Sequence, residues 1–228
     1  MLLVSVVIPV LDERSALETA LEGTRGPGVE RIVVDGGSCD GSAGRARELG
    51  AERILVTPPG RAGQLEAGRR VASGDVILFL HADTRLEPGW LVALRRALED
   101  PRVAGGAFRL RFDSSHPLYR LIELGARLRV RLGGLPYGDQ ALFARAELLA
   151  TAGGIPPVPI FEDLDLAARV RAAGRFVVLP LRVWTSPRRY EAGGIVRTWL
   201  RNSVALAAYG LDLDRTRVAR WYRRQPER

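Results

Sequence analysis

Acidic residues follow three of the short apolar runs in the first hundred residues, and this repeated placement constrains the fold more than any other feature. The runs are residues 3–9, 31–34, 53–56 and 76–80. Asp12 and Glu13 follow the first run, Asp35 the second and Asp83 the fourth. Helical patterns separate the runs, which predicts βαβ units and a mostly parallel sheet with helices on both faces. Because ligands bind at the carboxyl ends of parallel strands, these acids should line one rim.

The second half of the chain is less regular, but it still alternates between strand and helix patterns. Strand patterns cover residues 105–112, 140–144 and 176–179, and helical patterns cover 62–72, 88–98, 116–132, 162–173, 198–209 and 215–224. Pro88 is expected in the first turn of its helix. We predict an α/β fold with a Rossmann-like sheet and C-terminal helices, and one domain over residues 1–228. Its parts are a nucleotide-binding half (1–100), an acceptor and catalytic half (101–190) and a helical extension (191–228).

The charge of the chain bears on its partners. The 228 residues carry a formal net charge of +8, and every basic residue other than the two histidines is arginine. A positive balance suits a diphosphate substrate or an anionic membrane surface. The arginines are scattered and no nucleic-acid-binding motif is present, so we expect no nucleic-acid partner.

Cysteine content and hydropathy bear on location. A single cysteine, Cys39, excludes a disulfide within the chain and a cysteine-rich zinc site. We expect no signal peptide and no bilayer-spanning segment, which predicts a cytoplasmic protein, with the inner face of the membrane as an alternative. The basic segment 215–224, with Trp221 and Tyr222, suggests peripheral membrane contact or an ordinary exposed helix. The C-terminal helices are also candidates for pairing in a homodimer.

The strand end at Asp83 is a candidate metal site. His81 and Asp83 lie two residues apart just beyond an apolar run, and in an extended segment such residues point the same way. A carboxylate there would bind Mg²⁺ or Mn²⁺, which in turn would hold a diphosphate. The alternative is structural: Asp83 caps the next segment and His81 packs on the rim.

The glycine-rich turn at residues 35–42 is a candidate nucleotide site. Gly37 would let a ligand approach the backbone closely, while Asp35 and Asp40 would accept hydrogen bonds from a base or ribose. An Asx-type turn with Asp40 as the cap of the next helix explains the same residues equally well.

Two further clusters carry charge at predicted helix or turn starts. Residues 161–165 contain Glu162 and Asp163, one of which would serve as a general base, although acids in a first helical turn also stabilise the helix dipole. The two point in different directions on a helix, so both cannot serve one proton. Arg188 and Arg189 would hold a leaving diphosphate, or form a solvated basic loop.

Together these segments resemble the family 2 glycosyltransferases of the GT-A fold, from residue 5 to about residue 190. Residues 6–13 resemble the opening strand that holds the nucleotide, and residues 33–42 resemble the segment that reads the base. Residues 60–64 through 74–75 resemble the helix and strand entry before the metal motif, where His81-Ala82-Asp83 takes the place of Asp-x-Asp. The resemblance implies donor contacts at Pro9, Val10, Leu11, Glu13, Asp35, Gly37, Arg61, Asp83, Arg188 and Arg189.

The resemblance also implies an activity: an inverting transfer from a nucleotide-diphosphate sugar to a hydroxyl acceptor, with a divalent metal bound by Asp83 and His81. Asp163 matches the family's catalytic base, and Asp139, Gln140 and Glu162 would face the acceptor. The segments Gly138-Asp139-Gln140 and Ser186-x-Arg188-Arg189 resemble a short bacterial subgroup assigned to arsenosugar biosynthesis.

Two departures from the family pattern matter. His81 replaces the first Asp of Asp-x-Asp, so the metal would rest mainly on Asp83 and the donor phosphates. The Gln-x-x-Arg-Trp motif of processive synthases is absent, which argues against polymer synthesis.

Other functions remain as alternatives at this level. A sugar nucleotidyltransferase shares a similar sheet, but this chain lacks both the glycine-rich loop after the first strand and any lysine. A non-catalytic sugar-nucleotide sensor or membrane-docked scaffold is the alternative outside enzymes. A NAD-type dehydrogenase is excluded, because no Gly-x-Gly-x-x-Gly follows the first strand.

Overall fold

The computed structural model describes residues 1–133 and 136–223. Its strands are β1 (Val4–Val10), β2 (Val29–Asp35), β3 (Arg53–Val56), β4 (Val76–Phe79), β5 (Thr84–Leu86), β6 (Val103–Phe112), β7 (Phe143–Arg145) and β8 (Arg175–Thr185). Its helices are α1 (Leu17–Gly23), α2 (Ser42–Glu48), α3 (Arg61–Val71), α4 (Trp90–Ala97), α5 (Pro117–Gly133), α6 (Ala146–Thr151), α7 (Glu162–Ala173), α8 (Arg188–Gly193), α9 (Ile195–Gly210) and α10 (Arg215–Arg223). A 3-10 turn, Gly138–Gln140, precedes β7. The last residue of the predicted 215–224 helix, Arg224, lies outside the described residues.

In the described residues, eight strands form one sheet in the order β3-β2-β1-β4-β7-β6-β8-β5. Strand β1 pairs in parallel with β2 and β4, and β6 pairs in parallel with β8. Only β7 and β5 run against the others. The predicted α/β class with a mostly parallel sheet is therefore confirmed.

The two antiparallel strands, β5 and β7, bring further segments of the chain to the predicted rim. A strand that runs the other way begins where its neighbours end, and Thr84 at the start of β5 accordingly pairs with Thr185 at the end of β8. The 3-10 turn, which leads into β7, reaches the same edge. That edge thus collects the ends of the parallel strands and the starts of the opposed ones.

Both faces of the sheet are buried, which explains why its central strands read as continuous apolar runs. On β1, Val6 and Ile8 face one core shared with α1, α2 and α4. Val7 faces the other core, shared with α3, α6 and α7.

Two predicted element boundaries next to prolines are wrong. Helix α4 begins at Trp90, not at Pro88, because Gly89 adopts a left-handed conformation (φ 87°) just before it. Strand β8 continues past Pro180 to Thr185, whereas the sequence predicted a strand ending at residue 179. The β6–β8 register shifts between Ala107 and Arg109, so Pro180 lies in an irregularity where no ladder hydrogen bond is required of it.

Glu66 on α3 should contribute more stability than an ordinary surface acid. Burial raises its pKa, but hydrogen bonds from Arg69, the Ile155 backbone N–H and Arg70 outweigh this effect and lower the pKa to about 2. A carboxyl with a lowered pKa in the folded state stabilises that state above its unfolded pKa and loses this contribution as the pH falls. We expect Glu66→Gln to lower the free energy of unfolding at pH 7 by about 2 kcal/mol, a loss that shrinks from pH 4.5 towards pH 2.

Denaturant titrations at pH 7 and pH 3 measure this difference. Glu22→Gln is the matched control, because Glu22 pairs with Arg25 while both side chains are about half exposed, and such pairs contribute little. Equal losses for the two variants at pH 7 would contradict the prediction.

Candidate active site

The ends of β1 and β2 are held in register by a buried glutamine. The Gln64 Nε2 group donates to the carbonyls of Val10 and Val34, at 2.8 Å each. The side chain is almost fully buried, and a Cβ at Gly36 would lie 3.1 Å from it. Gln64 therefore fixes the strand ends from which the two rim loops leave. Gln64 lies in residues 60–64, one of the segments that carry the resemblance described above. The sequence gave it no role, because a single buried amide leaves no periodic signal.

The loop after β2 is organised by its own aspartate. Asp35 is buried, and its Oδ1 accepts the N–H groups of Gly37 (2.9 Å) and Ser38 (2.7 Å). Gly37 is in the left-handed region at φ 91°, with open space where a side chain would be. An Asx-type turn is thus formed at Asp35, and it leaves exposed backbone at Gly37 over which a flat ligand can lie. The expected cap is wrong, because Gly41 and not Asp40 precedes α2.

The loops after β1 and β2 are fastened to each other. Asp12 Oδ1 accepts the Cys39 N–H at 2.8 Å, and the Asp12 N–H donates to Ser38 Oγ at 2.9 Å. Asp40 accepts hydrogen bonds from the Arg14 and Ser42 N–H groups. This reciprocal bonding makes the two loops one wall of the rim.

Arg188 and Glu13 meet across this rim although they are 175 residues apart in the chain. The Arg188 Nη2 lies 2.7 Å from each carboxylate oxygen of Glu13. Both Arg188 and Arg189 belong to the first turn of α8, not to the loop that the sequence suggested.

A second cluster lies around the 3-10 turn. Arg61 forms an ion pair with Glu162 (2.9 Å) and hydrogen-bonds the His81 ring. The Gly138 N–H donates to Asp163 Oδ2 at 2.6 Å. A Cβ at Gly138 would lie within 3.4 Å of the side chains of Arg61, His81 and Asp163, so these three groups surround the backbone of the turn closely.

His81 and Asp83 do not share an extended segment, as the sequence argument assumed. The chain turns after β4, and the Thr84 N–H bonds to the His81 carbonyl at 3.2 Å. Burial and the positive charges of Arg61 and Arg189 hold the pKa of His81 well below its usual range. The ring is therefore neutral at pH 7 and lies against Arg61.

Asp139 has the most unusual environment of the acids here. Burial raises its pKa to about 6, with Arg129 opposing and the charges of Asp163 and Asp83 adding to the shift. Among the described residues its Oδ1 is buried without a hydrogen-bond partner. Burial also raises the pKa of Glu162, against the opposing charge of Arg61. A buried acceptor oxygen left unpaired points to a ligand that would satisfy it.

The carboxylates of this cluster fit a divalent cation held jointly with a ligand. Within residues 1–133 and 136–223, no three metal-binding side chains converge to hold an ion by themselves. Mg²⁺ is commonly held by one or two carboxylates together with substrate phosphates. Asp83 and the unpaired oxygen of Asp139 suit that arrangement, whereas His81 already contacts a guanidinium.

Backbone strain marks the segments on either side of the cluster. Phe161, directly before α7, has a φ of 72°, and Ala141, directly after the 3-10 turn, has a φ of 48°. Residues with side chains reach this region at a cost, and such strain concentrates at functional sites.

The C-terminal helices pack against the first turn of α7. Phe161 and Leu164 share an apolar cluster with Ala205, Ala208 and Val218. Asp165 pairs with Arg215, which is bonded to both of its carboxylate oxygens, and accepts a hydrogen bond from Tyr209 at 3.1 Å. The helix that carries Asp163 is thus supported by α9 and α10, which the sequence did not connect to the site.

Most of the predicted site residues lie at this one edge, but not all present their side chains to it. Val10 is buried and acts through its carbonyl, whereas Leu11 is half exposed. Gln140 is buried and donates to the Phe108 carbonyl at 3.1 Å, so its side chain holds the 3-10 turn onto β6. The donor and acceptor roles of all these residues stay predictions.

The comparisons with known proteins identify the family. The family model of glycosyl transferase family 2 matches residues 5–147. Uncharacterized protein MT1568 of Mycobacterium tuberculosis (strain CDC 1551 / Oshkosh) is 36% identical over 248 residues, which cover 96% of this chain and 75% of the relative. The chain belongs to glycosyl transferase family 2, and it is a glycosyltransferase.

Solved structures support the same fold. Mannosyltransferase PcManGT from Pyrobaculum calidifontis, in complex with GDP-Man and Mn²⁺, matches with a TM-score of 0.65 and 20% identity over 87% of this chain and 63% of that one. Glucosyl-3-phosphoglycerate synthase from Mycobacterium tuberculosis, in complex with Mn²⁺, uridine-diphosphate and glucosyl-3-phosphoglycerate, matches with a TM-score of 0.59 and 24% identity over 79% and 70%. This chain spans less than two thirds of the mannosyltransferase. These likenesses confirm the GT-A fold.

Proposed function

We propose that this glycosyltransferase moves a sugar from a nucleotide-diphosphate donor to a hydroxyl acceptor with inversion at the anomeric carbon. The observation that carries the proposal is the position of Asp163, whose carboxylate lies beside Arg61, His81 and Gly138 at the edge where the Asp35 turn opens. The structural relatives bound to GDP-Man or uridine-diphosphate support a donor of this class.

The donor would lie along the rim. The base and ribose would occupy the wall formed by the loops after β1 and β2, against Pro9, Val10, Leu11, Asp35 and Gly37. Arg188 pairs with Glu13 in this structure. Donor binding would release Arg188 from this pair, and its guanidinium would then contact the diphosphate. Arg61, Arg188 and Arg189 would stabilise the negative charge that grows on the leaving diphosphate.

The transfer needs one base and one displacement. Asp163 would take the proton of the acceptor hydroxyl as its oxygen attacks the anomeric carbon. The bond from that carbon to the diphosphate oxygen breaks on the opposite face, and the nucleoside diphosphate leaves. Asp139, Gln140 and Glu162 would bound the acceptor side of the site.

A divalent metal, Mg²⁺ or Mn²⁺, would be held by Asp83, with Asp139 as a second carboxylate. It would neutralise the charge of the donor diphosphate. His81, which the sequence paired with Asp83 as a metal ligand, would position Arg61 instead, because a cation is disfavoured beside two guanidinium groups.

The remaining sequence predictions stand as proposals of the same kind. We propose that residues 1–228 act as one domain and that the protein works in the cytoplasm or at the inner face of the membrane, which cell fractionation would test. Assignment to arsenosugar biosynthesis stays a prediction that rests on Gly138-Asp139-Gln140 and Ser186-x-Arg188-Arg189 alone.

Nucleotide binding tests the donor site directly. Calorimetry with UDP, GDP and TDP, with and without Mn²⁺, should show tight metal-dependent binding of one nucleotide. We expect Asp83→Ala to weaken that binding at least about tenfold, because it removes the carboxylate that shares the metal with the diphosphate. Glu99→Ala, at an exposed acid in the turn after α4, is the control and should bind as wild type does. Absence of binding for all three nucleotides would contradict the proposed donor class.

A further inference from the structure

The helices α5 and α9 each expose an apolar face that nothing in the described structure covers. On α5 the exposed residues are Leu121, Leu124, Leu128 and Leu132. At 100° per residue these leucines centre on the side opposite the buried Tyr119 and Ala126. On α9 the exposed residues are Val196, Trp199, Leu200 and Val204, opposite the buried Thr198 and Ala205. A surface helix of a monomeric soluble protein normally turns charged or polar residues outward.

Two tyrosines, Tyr190 and Tyr137, bridge the helices and bring their exposed faces to the same side of the molecule. Ile122 of α5 and Ile195 of α9 pack into the same apolar cluster with Tyr190. Seven residues further along, Arg129 of α5 stacks on Tyr137, and the Tyr137 hydroxyl donates to the Asn202 carbonyl of α9 at 3.5 Å. Equal spacing of both links indicates that the helices run in the same direction.

Arginines frame this apolar surface on its two outer flanks. On α5 the side turned towards α9 carries Ile122 and Arg129, and the exposed Arg127 and Arg131 lie on the opposite flank. On α9 the side turned towards α5 carries Ile195 and Asn202, and the exposed Arg197 lies on the opposite flank. The Arg201 guanidinium stacks on Tyr222 of α10 and is not part of this border. The apolar residues therefore lie between two basic borders.

Acidic residues are nearly absent from these helices. Helices α9 and α10 contain six arginines and no acid, and the single acid of α5, Glu123, is buried and bonded to Arg111 and Arg120. Next to α5 and α9 in the sequence, exposed acids among the described residues lie only beyond the helix ends: Asp113 before α5, Glu191 on α8 before α9, and Asp212 and Asp214 in the turn between α9 and α10. Asp214 accepts the Arg217 N–H. No helix in the described ranges is long and apolar enough to cross a bilayer.

We infer that this surface, formed by α5 and α9, lies on an anionic lipid membrane. The leucines, valines and Trp199 would enter the boundary between headgroups and acyl chains, while the flanking arginines would meet the lipid phosphates. Charge complementarity selects this occupant, because a second copy of the chain would bring the same arginines against each other. The surface differs from the one expected from the sequence, where the basic residues 215–224 were the candidate.

Vesicle co-sedimentation tests the inference on the whole protein. Wild type should bind vesicles of equimolar phosphatidylcholine and phosphatidylglycerol. Its binding to vesicles of phosphatidylcholine alone should be at least about tenfold weaker. Leu128→Glu with Leu200→Glu should lower binding to the anionic vesicles at least about tenfold. Val56→Glu with Val92→Glu is the matched control, because both valines are 71% exposed and lie outside this surface. Circular dichroism checks that each variant folds.

The charge requirement has its own pair of variants. Arg127→Gln with Arg131→Gln should weaken binding to the anionic vesicles, whereas Arg47→Gln with Arg96→Gln, exposed on α2 and α4, should not. The Trp199 emission should shift to shorter wavelength on binding, and Trp199→Phe should remove that shift.

Three outcomes would overturn the inference. Wild type that binds no vesicles would do so, as would equal losses in the paired leucine and valine variants. So would a dimeric wild type in light scattering that only the leucine pair converts to a monomer, since the surface would then be covered by a second copy.

Discussion

Asp163→Asn should fold normally and lose transfer activity by about 10² to 10⁴ in turnover, the range for removal of a general base. The amide oxygen of asparagine can still accept the Gly138 N–H that now bonds Asp163 at 2.6 Å, so the 3-10 turn should keep its place. What the variant lacks is a group that can take the acceptor proton. Initial rates at saturating donor and acceptor measure the effect, and KM values should change little.

Asp165→Asn is the matched control on the same helix. Asp165 pairs with Arg215 and Tyr209 on the C-terminal helices. Asp165→Asn should therefore lower the Tm and change turnover little. Two results would contradict the role of Asp163 as base. One is near-wild-type turnover in Asp163→Asn, and the other is a larger loss of turnover in Asp165→Asn.

Gly105→Val should destabilise the fold by about 3 kcal/mol or more, beyond the usual range for a side chain added to a packed core. A Cβ at Gly105 would lie 2.2 Å from the Phe143 carbonyl oxygen and 2.8 Å from the Ala144 Cα. Both obstacles are backbone, so β6 and β7 would have to separate. Because the 3-10 turn leads directly into β7, we expect lost nucleotide binding along with lost stability.

Urea titration of Gly105→Val against Gly44→Ala measures this effect. Gly44 lies within α2 with nothing near the site of its absent side chain, so alanine there should raise the free energy of unfolding by about 0.5 to 1 kcal/mol. A Gly105→Val protein as stable as wild type would show that β6 and β7 separate more easily than their close contact indicates.

The first half of the chain was predictable because its signals are local. Apolar runs bounded by turns identify parallel strands, and the rule that such strands end at one edge then brings Asp35 and Asp83 to a common rim. The helix containing Asp163 was equally clear, and the predicted bounds 162–173 match α7.

The rest of the site depends on contacts between distant segments, which a sequence pattern does not record. The ion pair of Arg61 with Glu162 and the bond of Gln64 to two strand ends arise only once the sheet has formed. Strand β5 was missed because Thr84–Leu86 contains a single apolar side chain and so shows no apolar run. The hydrogen bond that the buried Gln140 side chain donates to the Phe108 carbonyl follows from no local rule, and the place of Gln140 on the acceptor side stays a prediction.

The pairing of Asp165 with Arg215, fifty residues later in the chain, has a consequence during protein synthesis. When synthesis has reached the end of β8, every strand of the described sheet and the acidic first turn of α7 have been made. The apolar surface of Phe161 and Leu164 is then still bare, because Ala205, Ala208 and Val218 have yet to be made. The packing around the first turn of α7 is therefore completed last, and until then the nascent chain exposes an apolar patch of the kind that chaperones bind.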